Sequence, residues 1–482
     1  MKPKLQTWRG IAILAILLAT SASVRADAVT DWNAIAVQAT ITGGRPTPTG
    51  VIDIAIVHAA VYDAVQAIER RYEPYYVEVP GASGSPVAAA AKAAHDVLVN
   101  RFPAQAASLD ETYKQYLLNH GLAETDPGVA VGATAAAGII ALRACDGSFP
   151  SPAPTPFIGG TGLGVWRPTP PGLAPMVAPW LGNVAPFTLT RPSQFRADPP
   201  PALISRRYAR DYHEVKAVGA LTNSSRTAEQ TDLAHFYAGN TLVIWNRALR
   251  DIAVAHVDDI AESARLFALA DMAIADALIT AWNDKNRYVF WRPSTAIQEG
   301  DNDGNPRTAG DSTWQSLIVN PPYPDHTSGA NAFASAAVNS LALFFGTDHM
   351  TFSVTTTNTV PTVVDTRTYH RFSDAAQDVV DARVYSGIHF RFTDEAARKQ
   401  GRQVARWAFR NFLQPLNTTP TPGGWARCAD EGGFCDFDGT RRVRYGASGV
   451  YAYATFTDGV QCSNAVFGDP LSGVVKACDF EQ

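Results

Sequence analysis

The chain has 482 residues, 46% of them hydrophobic and 18% charged, with a formal net charge of −5. That length exceeds one compact core and points to a large domain with an appendage, or to two domains. The composition argues against prolonged disorder, and the net acidity argues against nucleic acid or an anionic membrane as partner.

Lys2, Lys4 and Arg9 make a basic start, Ile11 to Ala22 is a short apolar run, and Val24-Arg25-Ala26 offers small residues for cleavage. Residues 1–26 read as a signal peptide whose apolar part is too short for a comfortable membrane span. Its removal leaves 36 basic against 45 acidic side chains, a net charge of −9. The expectation is a secreted or periplasmic protein, with no membrane contact after cleavage and no later stretch long and apolar enough to cross a bilayer.

From about Ile52 the pattern is helical, with Ile54, Val57, Val61, Val65 and Ile68 at three- and four-residue steps. His58 sits on that stripe and reads as a core histidine. A helix from Val87 and another over Val129 to Ala144 follow, the latter with Asp126-Pro127 as its start signal. Gly147 to Pro201 is rich in Pro and Gly and lacks periodicity; loops of this length often serve as lids or substrate walls. Its glycines are a weak phosphate-loop signal, because no Lys-Ser/Thr closes them. Helical patterns return over Thr227 to Trp282, Gly329 to Phe345 and Asp374 to Phe412. Strand signals are few before residue 415, so residues 27–414 are expected to form an all-α helical bundle.

Residues 415–424, PLNTTPTPGG, have a linker composition. Beyond them, residues 425–482 alternate aromatic and β-branched side chains between Gly turns. Cys145 stands alone, whereas Cys428, Cys435, Cys462 and Cys478 cluster here. In an exported chain such a cluster implies two disulfides, and sequential pairing, Cys428 with Cys435 and Cys462 with Cys478, is the expectation among three connectivities. With no C-x-x-C and no His in the cluster, zinc is the weaker reading. The expectation is a small disulfide-stapled β module.

Three segments carry chemistry. In KNRYVFWRP, Lys285 and Arg292 are seven apart, two turns on one helical face, with Pro293 as a stop. In YPDHTSGAN, Ser328 opens a helix whose free amides and dipole attract oxyanions. In ARVYSGIHFRFTD, Arg383 offers a fork matched to tetrahedral oxygens, and His389 a nucleophile or a single axial ligand. Taken singly, each is more simply a solvated charge pair, an ordinary cap and a core His. DNDGNP (Asp301 to Pro306) lacks the spacing of a calcium loop and reads as a turn. Neither H-E-x-x-H nor G-x-S-x-G occurs.

Taken together and in this order, Lys…Arg-Pro, Ser-Gly and Arg…His resemble the signature of the phosphatidic acid phosphatase type 2 and vanadium-dependent haloperoxidase superfamily. The resemblance covers most of residues 50–412, including VHAAVYDAVQAI and FWRPSTAIQEGDNDGNP. It leans to the haloperoxidase branch, because Trp282 and Tyr323 stand where that branch has aromatic pocket residues. It implies a haloperoxidase-type helical bundle in which Lys285, Arg292 and Arg383 neutralise the oxygens of vanadate or phosphate. Ser328 and the Gly329 amide would donate hydrogen bonds, and His389 would ligate vanadium or attack phosphorus.

Two departures stand out. The family's acid–base His after the Ser-Gly is Ala330 here, with His326 the one nearby substitute. The acid expected four residues after His389 is Thr393; Asp394, one further on, is expected to orient His389. Three functions follow: a vanadate-dependent haloperoxidase acting on peroxide and halide, an acid phosphatase acting on phosphate esters through His389 with no cofactor, or a non-catalytic oxyanion binder. The C-terminal module resembles accessory domains of secreted microbial enzymes through EGGFCDFDGTRRVRYGASGVYAY and NAVFGDP. Its expected role is a surface or polymer contact through Tyr451 and Tyr453, or a stable cap.

Overall fold

The computed structural model describes residues 27–358, 365–416, 425–447 and 450–481. The signal-peptide reading and most of the linker therefore lie outside the described residues. The helices before the site are α1 (Ala28–Thr42), α2 (Thr47–Glu69), α3 (Pro86–Arg101), α4 (Ala106–Asn119), α5 (Pro127–Arg143), α6 (Arg206–Val218), α7 (Ala228–Phe236) and α8 (Thr241–His256). Those that carry it are α9 (Ile260–Tyr288), α10 (Pro293–Gln298), α11 (Gly329–Phe345), α12 (Phe372–Tyr385) and α13 (Arg391–Asn411). The all-α expectation for this body holds, apart from an antiparallel hairpin of β1 (His349–Thr355) and β2 (Thr366–Arg371) that pairs Phe352 with Tyr369.

Capping chemistry explains several starts. Asp126 accepts from the Gly128 amide ahead of Pro127, and Asp259 accepts from the Glu262 amide at the head of α9. The expected helix over Asp374 to Phe412 is in fact two helices, α12 and α13. Gly387, at φ 76°, breaks the run, and His389 stands in the gap. The pattern over Thr227 to Trp282 suggests two helices, one through TAEQTDLAHFYAGNTLVIWNRAL and one from Asp259; the first is in fact two, α7 and α8, and the second is α9. The helices α1, α4 and α6 carry no signal that the sequence reading picked up.

The helix α2 is buried nearly all round: its apolar window is 89% inside the fold, although its length and composition would suffice to cross a membrane. This corrects the expectation that no stretch after residue 26 meets that test; within this fold α2 is a core helix. His58 on α2 is fully buried, its ring stacked on Phe267 and its Nε2 2.8 Å from Asn33 Nδ2, as expected of a core histidine. The main core runs through α2, α3, α8, α9, α11 and α13. A second core of Tyr208, Tyr212, Phe290, Trp291, Phe390 and Phe392 packs the connections on either side of α10 and α13.

The C-terminal module contains β3 (Trp425–Asp430), β4 (Phe434–Cys435), β5 (Thr440–Ala447), β6 (Val450–Thr457), β7 (Val460–Gln461), α14 (Asn464–Phe467) and β8 (Ala477–Glu481). Its main sheet has the order β3-β8-β5-β6. Disulfides join Cys428 to Cys435 and Cys462 to Cys478, as expected, around a core of Val443, Tyr445 and Phe437. Cys145 is free and exposed. Arg406 and Arg410 of α13 reach Asp436 of the module at 3.1 and 2.9 Å.

The packing of α11 against α13 is close at Gly401, where an added Cβ would lie 2.5 Å from the Ala332 carbonyl oxygen and 2.8 Å from the Ala336 amide. Backbone at that distance cannot move aside locally. Gly401→Ala is therefore expected to destabilise the protein by about 1–3 kcal/mol, the usual range for overpacking. Calorimetry should show the thermal midpoint lowered by several degrees, and an unchanged midpoint would mean that the helices are not so close.

Candidate active site

The last turn of α9 carries Lys285, fully buried. Val289 then adopts a left-handed conformation and ends the helix, and Trp291 donates its amide to the Gly164 carbonyl. Arg292 lies beyond this break in extended backbone and is the residue before α10, with Pro293 at the first helical position. The expectation that Lys285 and Arg292 share one helical face is thus corrected: Pro293 starts a helix rather than stopping one. The turn brings the two cations together all the same.

One irregular segment, Pro321 to Ser328, receives both. Lys285 Nζ donates to the carbonyls of Pro324 and Asp325 at 2.6 and 3.1 Å. Arg292 Nε donates to the Tyr323 carbonyl at 2.9 Å and Nη2 to that of Pro321 at 3.3 Å. Arg292 Nη1 donates to the Ile388 carbonyl at 2.6 Å and lies 3.2 Å from His389 Nε2. The Tyr323 ring faces both cations, 4.8 Å from Lys285 Nζ and 5.0 Å from the Arg292 guanidinium carbon, and packs on Trp282 at 4.9 Å between centroids. Trp282 itself donates to the Val177 carbonyl at 3.1 Å, so the Pro/Gly-rich loop walls this side.

Arg383, near the end of α12, donates from Nη1 to the Tyr237 carbonyl at 2.8 Å, while its buried Nε has no partner among the described residues. Ser328 precedes α11 and makes no side-chain cap; Gly329 lies against the Trp282 indole, and Ala330 is partly buried.

His389 is held by a residue that the sequence reading does not assign. Its Nδ1 lies 2.6 Å from Asp325 Oδ1, and Asp325 Oδ2 accepts from Thr393 Oγ1 at 2.7 Å. With Nδ1–H donated to Asp325, the lone pair of Nε2 faces Arg292; this tautomer follows from the hydrogen bonding. Asp394 does not orient His389: its Oδ1 accepts from Asn331 Nδ2 at 2.8 Å, and its Oδ2 has no partner among the described residues. The register of α13 explains the correction, because its first turn points Thr393 at Asp325 and Asp394 at α11. The available signal for Asp325 is its place three residues before the Ser-Gly, inside YPDHTSGAN.

His326 has both ring nitrogens engaged elsewhere, Nδ1 3.2 Å from Thr393 Oγ1 and Nε2 2.9 Å from the Asp198 carbonyl. It therefore has no free nitrogen for an oxyanion, and the geometry does not support it as a substitute acid.

Burial governs the electrostatics. It pushes Lys285 well below its ordinary basicity, with Arg292 adding repulsion. His389 is likewise held well below the usual imidazole range by burial and then by Arg292, Lys285 and Arg383. Burial raises the Asp325 carboxyl to about 6 against the pull of Arg292, and raises Asp394 well above the carboxylate range. At neutral pH this gives a neutral imidazole beside an ionised Asp325.

The architecture and this grouping define a helical bundle of the haloperoxidase type. Residues 265–418 match the family model of the VCPO second helical-bundle domain. The chain is 26% identical over 287 residues to the vanadium chloroperoxidase of Curvularia inaequalis, a match covering 46% of this chain and 46% of that protein. It thus spans under half the length of that curated relative. Among solved structures, the first bacterial vanadium-dependent iodoperoxidase superposes with a TM-score of 0.69 at 23% identity, covering 81% of this chain and 97% of the other. A holo-type bacterial vanadium-dependent chloroperoxidase gives 0.62 at 19% identity, covering 76% and 91%. These findings support the superfamily of the vanadium haloperoxidases and type 2 phosphatidic acid phosphatases, and the haloperoxidase-type fold.

The raised Asp325 carboxyl has a consequence for stability. Its folded pKa, about 6, lies above the ordinary 3.8, so between those values the folded state binds more protons than the unfolded one. Stability from this group is present at acid pH and lost as pH rises through about 6. The thermal midpoint of wild type minus that of Asp325→Asn should fall between pH 4 and 6 and level off above. A difference that rises with pH would contradict the assignment.

Proposed function

We propose that this chain is a vanadate-dependent haloperoxidase-like enzyme acting on peroxide and a halide. The observation that carries the reading is the buried, unpartnered Nε of Arg383 in a group that also holds Lys285, Arg292 and His389, whose Nε2 lies 3.2 Å from Arg292 Nη1. A buried guanidinium N–H without an acceptor costs free energy until an acceptor arrives. Three basic side chains stand against Asp325 and Asp394, whose carboxyl burial pushes well above the ordinary carboxylate range. A tetrahedral oxyanion fits both needs.

In this reading Lys285, Arg292 and Arg383 hold the oxygens of vanadate. Ser328 Oγ–H and the Gly329 amide donate from the start of α11, and His389 Nε2 ligates the metal. Asp325 fixes the imidazole tautomer and raises its basicity, as an outer carboxylate does for a metal-bound His. Trp282 and Tyr323 wall the pocket and exclude water, which strengthens each charge interaction. Vanadate, when bound, supplies the centre that activates hydrogen peroxide for halide oxidation. Lys285, Arg292 and Arg383 would lower the charge on the oxygens they hold, an electrostatic contribution. Export from the cytoplasm belongs to the same reading, supported by the basic-apolar start of the sequence and the two disulfides of the C-terminal module. That module serves as a cap or as a contact to a surface or polymer through Tyr451 and Tyr453.

Orthovanadate titration tests the site. Wild type should bind, and His389→Ala should lose most of that affinity; hydrolysis of an aryl phosphate through His389 without halide oxidation would contradict the reading. Position 330 gives a second test, because a methyl cannot move a proton. Ala330→His should raise peroxidase turnover by about 100-fold or more, the usual contribution of a placed acid–base group. A flat response would mean that residue 330 does not face the reacting oxygens.

A further inference from the structure

We propose that Gln400 is a positioning residue for the oxyanion pocket. Its buried amide ties together the turn before Ser328, the end of α9 beside Lys285 and the Pro/Gly-rich loop. The role rests on the oxyanion reading above and adds the side chain that holds two of the anion's donors in register.

Both ends of this amide are engaged. Gln400 Oε1 accepts from Thr327 Oγ1 at 2.7 Å, and Nε2 donates to Asp284 Oδ2 at 2.6 Å and to the Phe195 carbonyl at 3.0 Å. The Phe195 carbonyl can only accept, which fixes the orientation of the amide and makes the Thr327 hydroxyl the donor. Gln400 is 1% exposed, and Thr327 and Asp284 are completely buried. Asp284 in turn accepts from the Ala197 amide at 3.0 Å and from Arg196 Nε at 3.3 Å, while the Tyr288 hydroxyl donates to the Ala197 carbonyl at 2.7 Å. Residues Phe195 to Ala197 are thereby held against α9 and α13. Gln400 has a fixed footing, because its neighbour Gly401 brings α13 into backbone contact with α11.

Thr327 immediately precedes Ser328, and Asp284 immediately precedes Lys285. Successive helical residues point about 100° apart, so Asp284 faces the loop while Lys285 faces the Pro324 and Asp325 carbonyls. One side chain therefore holds the neighbours of two anion donors. Ser328 makes no side-chain cap of its own, and the Thr327 bond to Gln400 restrains the turn that presents it. A fully satisfied buried network is rigid, and rigidity is what keeps preorganised donors at their distance. The position asks for an amide. An ionised Glu has no hydrogens for Phe195 and Asp284, and an apolar chain offers nothing to Thr327.

The test is orthovanadate titration, with thermal unfolding alongside, on wild type, Gln400→Met, Thr327→Val and the double variant. Gln66→Met is the control. Gln66 is another buried glutamine, donating to the Ala261 carbonyl and accepting from the Arg71 amide at the other end of α9. Both Met variants should lower the thermal midpoint, because each leaves buried polar groups unpaired. Gln400→Met should also raise the orthovanadate dissociation constant about 10- to 100-fold, the usual cost of losing an outer partner of a metal site. Gln66→Met should leave that constant unchanged. Thr327→Val should weaken binding in the same direction, and the double variant no further than Gln400→Met, because the two residues act through one hydrogen bond. If Gln400→Met does not fold, Thr327→Val carries the test. Three results overturn the role of Gln400 alone: a Gln400→Met affinity no weaker than that of Gln66→Met, an unchanged affinity in Thr327→Val, or additive losses in the double variant. Failure of wild type to bind orthovanadate overturns the oxyanion reading and the role with it.

Discussion

Burying three cations beside one another is the constraint on which the rest of this structure depends. Lys285 and Arg292 are completely buried, and Arg383 nearly so. Taking one such charge out of water costs several kcal/mol unless it is compensated. The chain compensates with carbonyl oxygens from Tyr237, Pro321, Tyr323, Pro324, Asp325 and Ile388. Carbonyls inside helices already accept from their own helix, so only irregular backbone can offer them. That is why the site is made from the ends of α9, α11 and α12 and the turns between them, while the helices themselves act as scaffold.

Irregular backbone in a core needs support, and aromatic packing supplies it. Phe290 and Trp291 flank Arg292, and Phe390 and Phe392 flank the turn that holds His389; all four belong to one buried cluster. On the opposite side Trp282 and Tyr323 face the cations. The loop from Gly147 to Pro201 is tied in through Val177, which accepts from Trp282 and donates to the Pro322 carbonyl. A long segment without helix suits that place, because it can follow the irregular wall of the pocket and fill it.

The site is legible in the sequence where local chemistry signs it and obscure where only the third dimension does. Ser328-Gly329 announces the start of α11, and the structure begins that helix at Gly329. The pairings of Cys428 with Cys435 and Cys462 with Cys478 follow from proximity in the chain. Seven-residue spacing puts Arg292 on α9 equally well, and nothing local reveals the left-handed Val289 that removes it from that helix. Asp325 is hidden as the partner of His389 because the two are 64 residues apart and meet only when α13 packs on α11. Closeness in sequence favours Asp394 for that role, whereas helical geometry turns it toward Asn331.

A crystal structure of the protein soaked with orthovanadate tests the central claim most directly. The account predicts tetrahedral or five-coordinate density bonded to His389 Nε2, with Lys285, Arg292 and the Nε of Arg383 on its oxygens. Density elsewhere, or a soaked crystal in which Arg383 Nε still finds no acceptor and His389 Nε2 still faces only Arg292, would contradict it.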